Sequence, residues 1–255
     1  KNFNINTVIH AAASAYVMEG EKKKNFYIKN NIINTIKFID ICKKNKIKNF
    51  IFLSSSNVYK EKKSNTAFHE NDKIEPKNIY GKTKAVIEKY LITKNFNNLI
   101  ILRLFNVIGM FNLFFKMFKF KRNNYQRIIF KILQNKKHNK VSNINYIMKS
   151  KKKIYPSRDF IDINTLVIII HKILKKIKNK NQVNKIFNVG SGKTVSIMKL
   201  VKILKKKYKD KIKLEFSKIS NAELVITKAK VSKLNKYINF SNKSSLEKIL
   251  SSYYI

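Results

Sequence analysis

Short apolar runs alternate with longer amphipathic segments along this chain, and this alternation limits its fold more than any other feature does. The apolar runs are a few residues long and rich in Val, Ile, Phe and Leu, as buried strands are. They cover residues 7–13, 49–54, 99–104 and 186–189. Apolar residues at helical spacing mark residues 26–46, 80–94 and 165–178, and Ser196 is placed to cap a helix that runs to about Tyr208.

Strands that are apolar at nearly every position and are joined by helices indicate βαβ units around a parallel sheet buried on both faces. We therefore predict an α/β fold with a doubly wound parallel sheet. Gly and Pro are scarce, at five and two residues, and no Pro- or Ser-rich linker divides the chain. In such sheets, ligands bind outside the carboxyl ends of the strands, so functional side chains are expected directly after the strands.

The formal net charge of +42 suggests a polyanionic partner, but the identity of the basic residues argues against one. Only four of the 56 Lys and Arg residues are arginine, at positions 103, 122, 127 and 158. Surfaces that recognise nucleic acids favour arginine, because its guanidinium group makes paired hydrogen bonds. Lys, Asn and Ile have A/T-rich codons, so we attribute the charge to codon bias and expect no specific nucleic-acid partner.

The sequence contains too few cysteines for a disulfide framework and too few clustered histidines for a metal site. Cys42 is the only cysteine, which excludes a disulfide framework, and the four histidines are scattered, so we expect no metal site and place His10 in the core. No uncharged apolar run reaches the length of about 18 residues that a membrane span needs, and no signal peptide opens the sequence. We therefore expect a cytoplasmic protein without a membrane span.

The strongest candidate for chemistry is the stretch from Tyr80 to Lys84, YGKTK, at the start of a predicted helix. Residues four apart share a helix face, so Lys84 is expected beside the Tyr80 ring. A phenol has a pKa of about 10 and is a weak base at pH 7, but a neighbouring ammonium group favours the phenolate and lowers that pKa. Tyr80 can then accept a proton from a substrate hydroxyl group.

Spacing alone does not single out this pair, because Tyr is followed four residues later by Lys three times. The three pairs are Tyr59/Lys63, Tyr80/Lys84 and Tyr90/Lys94. Tyr80 follows Pro76 at the predicted start of a helix, and Ser55 ends an apolar strand 25 residues before it. A serine there can hydrogen-bond both a substrate oxygen and the phenol. We therefore favour Tyr80 with Ser55, and assign core or solvent-exposed roles to Tyr59 and Tyr90.

Further stretches complete a pattern along nearly the whole chain. They are residues 8–13 (VIHAAA), 15–19 (AYVME), 30–31 (NN), 34–35 (NT), 54–59 (SSSNVY), 80–84 (YGKTK), 103–107 (RLFNV), 158–160 (RDF) and 187–192 (FNVGSG). In order and approximate spacing, they resemble the extended short-chain dehydrogenase/reductase superfamily of NAD-dependent epimerases and dehydratases. Because of residues 15–19, the most similar branch is that of the UDP-glucose 4-epimerases and their UDP-pentose relatives.

This resemblance implies a Rossmann-like fold and an activity. The implied activity is NAD-dependent inversion at C4 of a UDP-sugar through a transient 4-keto intermediate, as in galactose metabolism. The implied catalytic residues are Ser55, Tyr80 and Lys84. Tyr80 would accept the proton of the 4-hydroxyl group, Lys84 would hold the nicotinamide ribose and tune Tyr80, and Ser55 would orient O4.

The resemblance also implies residues that bind the cofactor and the substrate. For NAD these are, besides the catalytic three, Ala11, Ala12, Ala13, Asn30 and Phe105. For the UDP-sugar they are Ser55, Asn106, Asn124 and Arg158. The guanidinium fork of Arg158 suits the oxygens of a diphosphate.

The resemblance divides the chain and shows where it departs from the superfamily. It implies a partial dinucleotide-binding domain at residues 1–109, to which residues 160–192 return, and a smaller α+β substrate domain at residues 110–159 and 193–255.

The superfamily opens with a glycine-rich turn that binds pyrophosphate at a helix N-terminus, but no G-x-x-G-x-x-G occurs in this sequence. We therefore expect two βαβ steps, roughly 60 residues, to be missing before Lys1, and NAD to bind poorly to the chain as given.

Two other functions stay open. The first is another reaction of nucleotide-sugar epimerases and dehydratases. Among these, 4,6-dehydration usually needs acidic residues directly after the catalytic serine, where this chain has Ser56 and Asn57. The second is a degenerate, truncated remnant without activity.

Two apolar segments are expected to take part in packing between chains or between elements rather than in the active site. Residues 26–46 carry Phe38 and Ile41 beside the main apolar stripe of the predicted helix, so we expect a second buried face and a homodimer. Residues 110–122 contain five phenylalanines among lysines, and we interpret them as the apolar underside of the substrate domain.

Overall fold

The computed structural model describes residues 4–62, 66–109, 128–149, 151–178, 183–209, 211–218, 224–241 and 246–251. Asn124 and the phenylalanine-rich residues 110–122 lie outside these ranges. None of the helices within them is both long and apolar enough to cross a membrane. The same ranges contain no cluster of three or more His, Cys, Asp and Glu side chains that could hold a metal ion.

Strands and helices alternate through the first half of the chain, and short strands follow in the second. The strands are β1 (Thr7–His10), β2 (Asn49–Ser55), β3 (Asn98–Leu104), β4 (Asn106–Ile108), β5 (Ser142–Lys149), β6 (Lys152–Ile154), β7 (Ser157–Asp162), β8 (Val183–Val189), β9 (Thr194–Ser196) and β10 (Leu214–Lys218). The α-helices are α1 (Val17–Lys22), α2 (Lys24–Ile28), α3 (Asn34–Lys44), α4 (Ile79–Ile92), α5 (Ile128–Lys137), α6 (Ile163–Lys178), α7 (Ile197–Lys207), α8 (Ser232–Ile238) and α9 (Leu246–Ser251). Ser196 caps α7, as predicted, by accepting a hydrogen bond from the Lys199 backbone N–H.

The central sheet contains β1, β2, β3 and β8 in that order, and all three pairings are parallel. Side chains alternate between the two faces of a strand, so each face can build its own core. Ile51 and Ile100 pack with α6 on one face, and Phe50 and Ile101 pack with α3 and α4 on the other. Both faces of the sheet are therefore covered by helices, and the predicted α/β fold with a doubly wound parallel sheet is confirmed.

The first strand and the long helix differ from the predicted elements, and one buried side chain joins the two places. The first strand ends at His10, and the long helix predicted at residues 26–46 is divided into α2, a π-helical turn at Lys29–Ile33, and α3. Asn31 lies in this π-helical turn, is buried, and hydrogen-bonds both the N–H and the C=O of Ser14 at 2.9 and 2.8 Å. These bonds hold the chain after β1 as a turn outside the sheet. A π-turn changes which face a helical residue occupies, so Asn31 can point inward.

Two small sheets lie beyond the central one. β10, β5 and β6 form the first, and β4, β7 and β9 form the second. Helices α5, α7 and α9 pack with β5 and β7 around a second core that includes Ile144 and Leu200. Because β4 begins one residue after Phe105, which follows β3, the second small sheet begins at the carboxyl end of the central sheet.

Candidate active site

A cavity of about 940 Å³ opens at the carboxyl ends of β1, β2 and β3. Parallel α/β sheets bind their ligands at this edge. The predicted site residues that line it are Ala11, Ala13, Ser55, Tyr80, Lys84, Phe105, Asn106 and Arg158. Ala12 and Asn30 are not among the described residues that line it, and Asn124 lies outside the described part of the chain.

Ser55 is the last residue of β2 and is buried at the cavity wall. Its hydroxyl oxygen accepts hydrogen bonds from the backbone N–H and the side-chain amide of Asn57, both at 3.2 Å. Ser55 thereby caps the short 3₁₀ turn at Ser56–Val58. The strand end and the turn together fix where this hydroxyl group lies.

Helix α4 begins against that same turn, and Gly81 makes the close approach possible. A Cβ atom at Gly81 would lie 2.2 Å from the backbone oxygen of Asn57, far inside any real carbon–oxygen contact. The helix start is also held by Asn78, whose side-chain oxygen accepts from the Gly81 N–H at 2.7 Å, and by Glu21, which accepts from the Ile79 N–H at 2.8 Å. Tyr80, between these anchored residues, lies at the cavity.

Lys84 is buried at the base of the cavity, with only 4% of its surface exposed. Its Nζ donates a hydrogen bond to the Leu53 backbone oxygen at 2.7 Å and lies 4.5 Å from the centre of the Phe52 ring. Burial lowers the pKa of Lys84 to about 8, and the nearby Glu88 carboxylate acts in the opposite direction. Lys84 is therefore still mainly an ammonium group at pH 7.

The other two Tyr–Lys pairs have different surroundings. Tyr59 is fully buried, donates a hydrogen bond from its hydroxyl group to the Asn188 side chain at 2.6 Å, and has its pKa raised to about 12 by burial. Tyr90 donates from its hydroxyl group to Asp40 at 2.6 Å, and Lys94 forms an ion pair with the same carboxylate at 2.9 Å. Among the described residues that line the cavity, Tyr80 and Lys84 are present and the members of these other pairs are not.

The turn after β1 forms a further part of the cavity wall. Ala11 and Ala13 line the cavity, whereas Asn30 lies behind the turn and donates from its side-chain amide to the Ser14 hydroxyl oxygen at 3.0 Å. Asn31 also donates to the Thr83 hydroxyl oxygen at 3.2 Å, which ties the turn to α4. In this structure Asn30 supports the wall rather than forming it.

Asn106 and Arg158 lie on the opposite wall, which the second small sheet supplies. The Asn106 amide donates to the backbone oxygen of Asp159 and to the hydroxyl oxygen of Thr227, both at 3.3 Å. The Arg158 guanidinium group donates to the backbone oxygen of Val225 at 3.0 Å. Both side chains are thus oriented by the backbone of neighbouring segments.

Asp159 is buried directly beside Arg158 and ties three distant segments together. Its carboxylate accepts hydrogen bonds from the N–H and O–H of Ser191 at 2.6 and 2.7 Å, from the Gly192 N–H at 3.0 Å and from the Ala229 N–H at 2.9 Å. Burial raises the pKa of Asp159, and these hydrogen bonds oppose that shift by favouring the carboxylate. The bonds fix the turn after β8 against β7.

Comparison with known proteins identifies the family of this chain. Residues 1–190 match the model of the NAD dependent epimerase/dehydratase family. The chain belongs to this family. The superfamily resemblance stated from the sequence motifs is therefore confirmed, and the family, as its description says, uses NAD.

Relatives within the family share the fold but catalyse different reactions. UDP-glucuronate 4-epimerase of Thermodesulfobacterium geofontis is 25% identical to this chain, over 97% of this chain and 71% of that protein. The dTDP-4-dehydro-6-deoxyglucose reductase of Escherichia coli is 30% identical over 84% of this chain and 62% of that protein. The crystal structure of UDP-glucuronic acid 4-epimerase from Bacillus cereus in complex with UDP-glucuronic acid and NAD has a TM-score of 0.81 at 26% identity, and covers 98% of this chain and 74% of that one.

Two residues that shape the site, Thr227 and Glu88, are not singled out by the sequence alone. Thr227 lines the cavity and contacts Asn106, but it lies more than a hundred residues away in the chain. Glu88 is a buried carboxylate four residues after Lys84. A signal for Glu88 does exist, since a charged residue on the buried face of an amphipathic helix is rare unless it is paired.

Proposed function

We propose that this protein is an NAD-dependent 4-epimerase of a UDP-sugar. One observation carries the proposal: of the three Tyr–Lys pairs, Tyr80 and Lys84 lie with Ser55 at the cavity at the end of the central sheet. A phenol, an ammonium group and a hydroxyl group at that place suit proton transfer at a sugar hydroxyl. The family match and the relatives that act on UDP-sugars support the same activity.

In this mechanism Tyr80 accepts the proton of the 4-hydroxyl group of the sugar and later returns it. The Lys84 ammonium group favours the phenolate form of Tyr80 and so lets it act as a base near pH 7. The Ser55 hydroxyl group, which is held by Asn57, orients the oxygen that loses its proton. NAD, when bound, supplies the reversible oxidation at C4 that allows either configuration to form.

The residues present fit the nicotinamide end of the cofactor. Ala11 and Ala13 give a wall of small side chains, and Lys84 and Tyr80 supply a cation and a hydroxyl group for a ribose. The described residues contain no glycine-rich turn that could bind the pyrophosphate at a helix N-terminus. The proposal therefore assigns the nicotinamide ribose, rather than the pyrophosphate, to these residues.

Arg158 and Asn106 are proposed to bind the nucleotide part of the substrate. A guanidinium group suits diphosphate oxygens, and Lys131 and Lys218 also line the cavity. Dehydration is less favoured than epimerisation, because Asn57 follows Ser55 closely and donates its amide to the serine oxygen, where a dehydratase would need an acid. The sugar can be a hexose, an N-acetylhexosamine, a uronic acid or a pentose.

We also propose that the protein is a homodimer. On α2 and α3 the side chains of Phe26, Phe38 and Ile41 are 53%, 40% and 57% exposed. Exposed apolar side chains on adjacent helical segments are typical of surfaces that another protein covers. A second copy of this chain is the proposed partner.

The proposed activity is tested by incubating the protein, expressed from its complete reading frame, with NAD and a set of UDP-sugars, and resolving the C4 epimers by chromatography. Tyr80→Phe removes the proton acceptor, so we expect turnover to fall by about 10²–10⁴-fold. Tyr90→Phe is the matched control, since it removes a hydroxyl group from the same helix at the same spacing from a lysine, and it should leave turnover unchanged. Equal turnover in wild type and Tyr80→Phe would remove Tyr80 from the mechanism.

A further inference from the structure

A buried carboxylate directly below the cavity has no role in the chemistry proposed so far. Glu88 lies on α4 one turn after Lys84 and is 4% exposed. It accepts hydrogen bonds from Arg103, at 2.7 Å from Nη2 and at 3.1 and 3.2 Å from Nε, and from the Ser54 hydroxyl group at 2.5 Å. Four hydrogen bonds to one buried carboxylate define its position closely.

These bonds join the elements that carry the proposed catalytic residues. Glu88 belongs to the same helix as Lys84, and its partner Ser54 is the neighbour of Ser55 in β2. Arg103, in β3, extends the network by donating to the Tyr59 hydroxyl oxygen at 3.0 Å. A shift of Glu88 would therefore move the end of β2 and the middle of α4 together.

Glu88 also supplies negative charge near a buried cation. The charged and titratable groups that act on Lys84 or respond to it are Glu88 on α4 and His10 on β1, and Glu88 is in turn bound to Arg103 on β3. Burial lowers the pKa of Lys84 and the charge of Glu88 raises it. His10 is itself buried, and both burial and the charge of Lys84 lower its pKa, so it adds no positive charge at pH 7.

We propose that Glu88 is a positioning residue that keeps Lys84 in its ammonium form beside Tyr80 and fixes the Ser54–Ser55 end of β2. This inference rests on the proposed function for its consequence in turnover. It predicts that Glu88 acts through the protonation of Lys84, although Glu88 itself contacts neither substrate nor cofactor.

A purely structural role for Glu88 makes a different prediction, and a pair of variants separates the two. Glu88→Gln leaves the Arg103 charge buried without its partner, so it should also lower the melting temperature. Glu88→Gln combined with Arg103→Met removes both charges and avoids that penalty, because a buried ion pair can often be replaced by uncharged side chains without loss of stability. The double variant therefore shows how much of any loss of stability in Glu88→Gln comes from the unpaired Arg103.

The decisive measurement is the titration of Lys84 itself, by acetic anhydride labelling across a pH series with peptide mass spectrometry. In Glu88→Gln we expect the midpoint of Lys84 labelling to fall by about one pH unit, a tenfold loss of proton affinity, and in the double variant by less, because Arg103→Met also removes a cation from the same network. Glu88→Asp keeps the charge and should keep a midpoint near that of the wild type. Glu247→Gln, on the exposed surface of α9, is the control and should not change it.

Turnover gives a second measurement. The alkaline limb of kcat against pH should move to lower pH by the same amount, with KM for the UDP-sugar unchanged. An unchanged Lys84 midpoint in folded Glu88→Gln overturns the inference. A lowered midpoint supports it even where the wild type epimerises no UDP-sugar, in which case the proposed function alone fails.

Discussion

Helix α4 begins with one Tyr–Lys pair of this spacing, a second pair spans its end, and the two pairs differ in their surroundings. At its start, Lys84 is buried and Tyr80 lies at the cavity. At its end, Lys94 keeps 27% of its side-chain surface exposed and shares Asp40 with Tyr90. Lys94 lies over the Tyr90 ring, 4.2 Å from its centre, whereas Lys84 and Tyr80 both line the cavity at the end of the central sheet.

The pKa values of the two lysines are consequently shifted in opposite directions. Burial lowers the pKa of Lys84 to about 8, whereas hydrogen bonds with Tyr90 and Asp40 raise the pKa of Lys94. The comparison shows that a Tyr–Lys pair becomes a candidate for catalysis when its lysine is buried and a strand end lies beside it. The spacing of the two residues alone provides neither condition. Three substitutions test this difference.

Lys84→Met should have the largest effect, and the effect has two opposite parts. In the proposed mechanism Tyr80 then loses the cation that favours its phenolate form, so turnover should fall by about 10²–10⁴-fold. The fold should become more stable at pH 7, by about 3 kcal/mol, because a buried lysine with a pKa of about 8 instead of 10.5 destabilises the native state. Denaturant titrations and the epimerisation assay measure the two parts.

The pH dependence of this stability gain follows from linkage. Between pH 8 and 10.5 the unfolded chain binds more protons at Lys84 than the native chain does, so wild-type stability at this site rises with pH. The advantage of Lys84→Met should therefore be largest below pH 8 and should fade by pH 10.5. Lys94→Met is the matched control and should leave turnover unchanged. A loss of stability in Lys84→Met at pH 7 would contradict the assigned burial cost.

Gly81→Ala should have the next largest effect. Its new methyl group would collide with the Asn57 backbone, so α4 must move away from the turn that follows Ser55. A displacement of about 1 Å can cost about 10²-fold in rate, and overpacking costs about 1–3 kcal/mol of stability. Turnover and thermal melting measure these losses. Lys82→Ala, at an exposed position in the same turn of α4, should change neither, and a fully active Gly81→Ala would show that the close approach is dispensable.

Asp40→Asn should have the smallest effect, confined to stability. The hydrogen bond from Tyr90, followed by that from Lys94, lowers the pKa of Asp40 in the folded protein. Such a carboxylate stabilises the native state above its unfolded pKa of 3.8, and this contribution is lost as the pH falls through the lower folded value. The variant should melt slightly below wild type at pH 7 and equal it at acid pH. Reduced turnover would show that the two ends of α4 are coupled.

Much of the fold could be predicted from the sequence, because buried parallel strands and amphipathic helices have strong periodic patterns. β2 and β3 match their predicted runs within a residue or two. The division of the helix at residues 26–46 could not be predicted, since it depends on a hydrogen bond between Asn31 and Ser14, 17 residues apart. A pattern of apolar residues contains no information about such a polar contact.

For the candidate site too, positions along the elements could be predicted from the sequence, whereas tertiary contacts could not. Tyr80, Lys84 and Ser55 could be placed together because Ser55 ends a predicted strand, Tyr80 begins a predicted helix, and Lys84 follows Tyr80 by one helical turn. Asn30 was expected at the cavity, but its side chain binds Ser14 behind the wall. The contact of Gly81 with Asn57 is a property of tertiary packing, and the sequence indicates only that glycine permits it.

The buried Asp159 has a consequence for how this site can change in evolution. One carboxylate fastens Ser191, Gly192 and Ala229, so the wall with Arg158 and Asn106 is anchored independently of α4 and β2. Under the proposed function, mutations that alter how that wall binds the nucleotide part of the substrate can accumulate while the proton-transfer groups keep their geometry. On that proposal, separate anchoring of the two walls lets one reaction centre serve a succession of different nucleotides.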